Sequence, residues 1–186
     1  FLSDLINGIL PKTDAVDFLV GYFYYSGYVL LSENLKSKHI RILVGLAIEI
    51  QISKHVCEVE NFRQKLLSRG VLKEQYYSEF VKAFNDTDFL DTAEKIEQFK
   101  MFYAKILDGT LEIRKTLDPC HSKMYLFVYN ESMNEGGELP GVMITGSSNL
   151  SYQGMQGRLE LNARFNDKAD YDEGHEIFEE LWRDAV

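Results

Sequence analysis

Cysteine, proline, histidine and tryptophan are all scarce here: two, three, four and one in 186 residues. Cys57 and Cys120 show no CxxC or Cys/His spacing of a zinc site, so neither a structural metal nor any other cofactor is expected. Two thiols cannot build a disulfide framework, and the default setting is a reducing cytoplasm. No apolar run approaches the roughly 20 residues that span a bilayer, and no signal-peptide pattern is visible. No membrane partner is therefore expected. Basic charge is short as well. Lys and Arg number 20 against 29 Asp and Glu, a net charge of −9, which argues against the uniformly basic surface of a non-specific DNA binder.

That acidity is local. Between Asn166 and Val186 stand Asp167, Asp170, Asp172, Glu173, Glu176, Glu179, Glu180 and Asp184 against Lys168 and Arg183 alone, the pattern of a solvated helix face. The first seventy or so residues are nearly balanced, which leaves room for a nucleic-acid groove away from the acidic tail. The remaining composition, 45% hydrophobic and 26% charged, is that of one globular domain over residues 1–186. Because it begins at Phe1 without an initiator Met, the chain is expected to be a fragment of a longer protein.

The hydrophobic pattern gives an order of elements. Leu2, Leu5, Ile6, Ile9 and Leu10 have helical spacing that stops at Pro11. Ala15–Tyr25 reads as a buried strand, Ser26–Leu35 as a short helix and His39–Leu46 as the next strand, an opening that suggests a parallel βαβ unit. Further helices are predicted over Ile52–Leu67, Glu74–Phe84 and Thr92–Leu107, with capping chemistry at Asn85–Asp88. Leu111–Thr116, His121–Tyr129, Val142–Thr145 and Leu159–Phe165 read as strands, Asn130–Gly141 as a loop between neighbours, and Tyr171–Trp182 as a closing helix. The expected fold is α/β, an α/β/α sandwich around a mixed, largely parallel sheet.

The chemistry gathers in two segments. His121-Ser-Lys123 places an imidazole and an ammonium two residues apart, on one face of an extended chain. Gly146-Ser147-Ser148-Asn149 begins 23 residues beyond Lys123, at the end of an apolar run. A Gly/Ser turn of this kind can cradle an anion. Together they resemble the half-site signature of the phospholipase D superfamily, an HxK pair and Asp followed by GSxN: His121, Lys123, Gly146, Ser147 and Asn149 fall on it in order. Glu160 and Asn162, in Arg158–Arg164, resemble the acid and amide that often follow. The GSSNLS segment is most similar to modules fused to superfamily II DNA helicases and to related nucleases.

The resemblance implies metal-independent phosphodiester cleavage, as in an endonuclease module of a helicase or restriction-type protein acting on DNA. Two sets of His, Lys and Asn meet across a twofold axis. One His attacks phosphorus to form a phosphohistidine, while the other protonates the leaving oxygen and then activates water. Histidine suits both tasks because its unperturbed pKa is about 6.5. The residues implied are His121, Lys123, Asn149 and Glu160 in catalysis, with Lys123, Ser147, Ser148 and Asn149 on the phosphate. Gly146 and Asn162 support them, and Glu160 is expected to orient His121 as a carboxylate behind a catalytic ring does.

Only one set is present, since His39, His55 and His175 have no Lys two residues on. The second half must come from a homodimer or from elsewhere in the parent, where a helicase domain is a candidate partner. The signature's Asp would fall at Val128, and residues 130–140 lengthen the spacing. Two other functions stand beside the nuclease: a catalytically weak nucleic-acid-binding or dimerisation module, favoured by Val128, and a phospholipid phosphodiesterase. The aromatic run Tyr22–Tyr25 reads as core or as a base-stacking surface, with core favoured by its strand pattern.

Overall fold

The computed structural model describes residues 1–48 and 93–186. The helices expected over 52–67 and 74–84, the caps at 85–88, His55 and Cys57 lie outside the described residues.

Six strands form one sheet: β1 (Thr13–Phe23), β2 (His39–Ile48), β3 (Leu111–Lys115), β4 (Met124–Tyr129), β5 (Gly141–Gly146) and β6 (Asn162–Phe165), in the order β3-β2-β1-β4-β5-β6. β1 and β2 are parallel, as are β2 and β3, so the βαβ opening is present. The sheet is mixed as expected, but antiparallel pairing outweighs parallel: β1 with β4, β4 with β5 and β5 with β6 all run opposite. For β4 and β5 the reason is local. A loop as short as 130–140 can only return the chain antiparallel, since a parallel return needs a crossover of a dozen or more residues.

Alternation along the strands sends side chains to two cores. Val16, Phe18 and Val20 of β1, Ile40, Ile42 and Val44 of β2, and Tyr125 and Phe127 of β4 face one side. There they meet α1 (Leu2–Ile9), α2 (Tyr25–Val29), α3 (Ser32–Leu35) and α4 (Ala93–Asp108). Leu19, Leu43, Met124 and Leu126 face the other side, against Tyr171, Phe178 and Trp182 of α5 (Lys168–Asp184). The described elements thus form the α/β/α sandwich. α5 starts three residues before its first apolar position because the Asp167 side chain accepts from the Ala169 N–H at 2.8 Å, an N-cap. α4 spends its apolar face on an aromatic cluster in which Phe102 meets Tyr28 at 4.8 Å and Tyr25 at 5.2 Å, edge to face.

α5 is fixed to the sheet by a half-buried charge. Arg41 on β2 donates from Nε and Nη2 to the two carboxylate oxygens of Asp17 on β1, at 2.6 and 2.8 Å, and from Nη2 to Glu179 on α5 at 2.6 Å. Its guanidinium lies 4.9 Å from the Phe178 ring and 5.3 Å from that of Trp182. A desolvated cation with two carboxylates and two aromatic faces has its bonding needs met inside the protein.

Candidate active site

The two motif segments meet at one end of the sheet, and β4 and β5 bring them there. Their register sets Met124 opposite Thr145. The Lys123 carbonyl then accepts from the Thr145 hydroxyl at 2.8 Å and from the Gly146 N–H at 3.4 Å. His121 and Lys123 do not belong to the strand, which starts at Met124. They sit in the extended lead-in to it, where the two side chains turn to each other. Lys123 Nζ lies 2.9 Å from His121 Nδ1, 3.4 Å from Nε2 and 2.7 Å from the His121 carbonyl. An ammonium can only donate, so it meets the imidazole through a ring nitrogen that carries a lone pair.

His121 is exposed and Lys123 is 6% exposed. Burial pushes the Lys123 ammonium below the usual lysine range, opposed by the charges of Glu160 and Cys120. Among the described residues no carboxylate lies within ion-pair distance of it.

Asn149 reaches the same place from the other side. Its Oδ1 accepts from the Tyr22 backbone N–H at 2.9 Å, and a parallel bridge from Phe23 to Leu150 continues the contact. Gly21 makes this approach possible: a Cβ there would lie 3.2 Å from Asn149 Oδ1 and 3.8 Å from His121 Cα. Gly45 does the same for the chain before His121. A Cβ on Gly45 would fall 1.8 Å from the Cys120 carbonyl oxygen, and the Cys120 N–H donates to the Gly45 carbonyl at 3.1 Å. A glycine inside a strand is the sequence signal for such close passage, one not taken up above for Gly21 or Gly45.

The serines are engaged within the turn. Ser147 donates its hydroxyl to Glu160 and accepts from the Leu161 N–H at 3.1 Å, while its own N–H bonds to the Leu161 carbonyl at 3.0 Å. Ser148 is buried, its Oγ accepting from Asn162 Nδ2 at 2.9 Å. Its carbonyl accepts from the buried Tyr125 hydroxyl at 2.8 Å, and burial keeps that phenol protonated by pushing its pKa up. Glu160 therefore touches Ser147, and it is Lys123 that touches the imidazole. Tyr125 and Thr145 passed unnoticed in the sequence because a core aromatic and a strand threonine carry no signal of a site. Beyond Asn149 the chain makes a π-helical turn, Gln153–Gly157.

Other candidates stand apart. Val128 lies toward the far end of β4, opposite Ala15 and Gly141, roughly 16 Å along the strand from Lys123. His175 stacks on Tyr171, and it forms with Asp17 and Glu179 the one trio of potential metal ligands among the described residues. Arg41 already holds both of those carboxylates. Arg164 bonds Asn166 at 2.7 Å, and the free thiol of Cys120 is half-buried.

The sequence profile of the family described as "Cardiolipin synthase, PLD-like domain" matches residues 30–182. The chain belongs to the phospholipase D-like family. No curated protein matches it in sequence. Among solved structures, NucT from Helicobacter pylori superposes with a TM-score of 0.52 at 12% identity, covering 100% of this chain and 89% of that one. Nuc from Salmonella typhimurium, a phospholipase D family member, gives 0.49 at 11% identity over 98% and 88%. At such identities the likeness to NucT is one of fold, and the phospholipase D-like α/β architecture is the one described above. Among the described residues no helix is long and apolar enough to cross a membrane.

Proposed function

We propose that this domain is a metal-independent phosphodiesterase that cleaves nucleic acid, with His121 as nucleophile. The observation that carries the reading is the meeting of His121 and Lys123 at 2.9 Å beside the anchored Asn149 carboxamide. A phosphate oxygen entering this space draws the buried ammonium toward itself. The ring lone pair that Lys123 held is then released, so substrate charge uncovers the nucleophile. The imidazole nitrogen forms the N–P bond as the P–O bond to the leaving group breaks, and charge on the non-bridging oxygens meets Lys123 and the Asn149 amide. Ser147 and Ser148 build the turn that carries Asn149, and their hydroxyls give Glu160 and Asn162 fixed places behind it.

A second histidine must protonate the departing oxygen and then take a proton from the water that cleaves N–P. A second copy of the chain across a twofold axis supplies it most simply, and a further segment of a helicase or restriction-type parent is the other source. The test is cleavage of DNA and of a chromogenic phosphodiester in EDTA. Activity is expected to persist there and to vanish in His121→Ala, with light scattering reporting a dimer. Loss of activity in EDTA overturns the metal-free route, and an active His121→Ala overturns the nucleophile. A wild-type protein that binds DNA without cleaving it makes this a binding module.

One observation favours a lipid diester instead. A groove of about 540 Å³ runs from Glu160 and Asn162 to Phe1, Leu2 and Leu5, with Leu159 wholly exposed beside it. Release of headgroup from anionic phospholipid vesicles, with DNA untouched, would select that reading.

A further inference from the structure

We infer that Tyr24 and Tyr152 form a stacking platform for unpaired nucleobases flanking the phosphate held at His121, Lys123 and Asn149, which makes single-stranded nucleic acid the preferred substrate. The inference rests on the phosphodiesterase reading above and deepens it.

Three bonds bring these two side chains to the site. Tyr22 N–H donates to Asn149 Oδ1 at 2.9 Å, Tyr24 N–H to the Leu150 carbonyl at 2.9 Å, and Tyr152 N–H to Ser26 Oγ at 3.3 Å. The segments leaving β1 and leaving Asn149 are thereby zipped together rung by rung. Tyr24 lies three residues past Gly21, and Tyr152 three past Asn149, which puts each within roughly 10 Å of the phosphate site along the chain.

The described protein leaves both rings about half open, with only the edge of Tyr152 lying against Gly157. Phe23 and Tyr25, on either side of Tyr24, are buried, whereas Tyr24 is 43% and Tyr152 48% exposed. Neither ring has an aromatic or cationic neighbour among the described residues. The expectation that the Tyr22–Tyr25 run is core thus holds for Phe23 and Tyr25 and fails for Tyr24, because β1 ends at Phe23 and the next residue turns outward as the N-cap of α2.

Charge and stacking select the class of substrate. A net charge of −9 repels a duplex at long range, and duplex affinity comes mostly from cations on its phosphates. Stacking on a tyrosine is independent of salt and of sequence, but it needs a base whose face is free. Bases in a duplex already stack on each other, so only unpaired ones can use the platform.

The experiment measures anisotropy of a short fluorescein-labelled deoxythymidine oligonucleotide and of a matched duplex. A His121→Asn background prevents turnover, so binding is read whether or not the wild type cleaves. Tyr24→Ala and Tyr152→Ala should each weaken single-strand binding about tenfold, persistently at raised salt, with the Phe variants within about twofold and duplex binding little changed. On the unsubstituted protein, 5-iodouracil in the oligonucleotide should photocrosslink to Tyr24 or Tyr152. Ala variants that bind like their parent, equal losses on single strand and duplex, or crosslinks confined elsewhere would overturn the platform. Tyrosine-dependent binding in a protein that never cleaves sustains the platform and sinks the phosphodiesterase. Cleavage indifferent to both tyrosines does the reverse.

Discussion

Arg41, half-buried beside α5, and Lys123, buried at one end of the sheet, are both cations withdrawn from solvent, and they are treated in opposite ways. Arg41 has Asp17 and Glu179 as carboxylate partners and two aromatic rings over its plane. Lys123 has an imidazole nitrogen, a carbonyl and an acid, Glu160, whose carboxylate is bonded to Ser147. The first charge is neutralised by the fold and holds α5 down. The second is desolvated without being neutralised, so its unmet demand for negative charge is open to a ligand. A buried cation becomes a binding element when its counter-ion is left out of the protein.

The largest effect that tests this contrast is on rate. Lys123→Ala should lower phosphodiester cleavage by about two to three orders of magnitude, since the lost contact strengthens as charge builds. Single-turnover kinetics measure it. DNA affinity that falls as far as the rate would make Lys123 a ground-state contact. Stability should move the other way: Lys123→Met, which removes an unpaired desolvated charge, should raise unfolding free energy by up to about 2 kcal/mol. A destabilised Lys123→Met would mean that the ammonium is better satisfied than its neighbours indicate.

Next comes the paired cation. Asp17→Ala leaves the Arg41 guanidinium with Glu179 alone and should cost up to about 3 kcal/mol in urea denaturation, leaving kcat per folded molecule near that of wild type. Gly45→Ala tests positioning. Its methyl would occupy the space of the Cys120 carbonyl, and a shift of about 1 Å in His121 should cost about a hundredfold in kcat per folded molecule, alongside a fall in Tm.

The smallest effects are titrations. Burial lowers the folded pKa of Lys123. Its charge therefore costs stability at neutral pH, and that cost lifts as pH rises through the folded value. Cleavage should fall on the alkaline side at a lower pH than the lysine reference of about 10.4, and Lys123→Arg should lose this limb. Glu179 is the opposite case, held below the usual carboxylate range by the Arg41 hydrogen bond. Its contribution is complete above the unfolded glutamate pKa and fades as pH falls through the depressed folded one. Glu179→Gln should flatten the acid side of a Tm profile.

Much of this contrast could be read in advance, and the unread part has physical causes. Apolar runs gave the strands around Phe18, Ile42 and Phe127, because a strand covered on both faces needs apolar residues at every position. His121, Lys123, Asn149 and the turn between them were legible as chemistry, since few residue types perform it. The Arg41 pair was invisible, because Asp17, Arg41 and Glu179 are far apart in sequence and become partners only once β1, β2 and α5 are assembled. Pairing direction was misjudged for the same reason: the apolar pattern of a doubly covered strand is alike in parallel and antiparallel sheets. The start of β4 was placed three residues early because extended chain and paired strand share one periodicity.

The hairpin at 130–140 carries a consequence for how such domains are found and altered. Gly136 and Gly137 there have φ of 79° and 75°, and the loop lies at the opposite end of β4 and β5 from His121. Its length sets how many residues separate Lys123 from Gly146 in the sequence, whereas the cross-strand register sets whether they meet. A search tied to a fixed interval would pass over this chain, and one tied to an antiparallel pair of apolar segments would not. The same independence makes the hairpin tip the place to splice in an epitope or a fluorophore, a change in length that the chemistry at the other end would not feel.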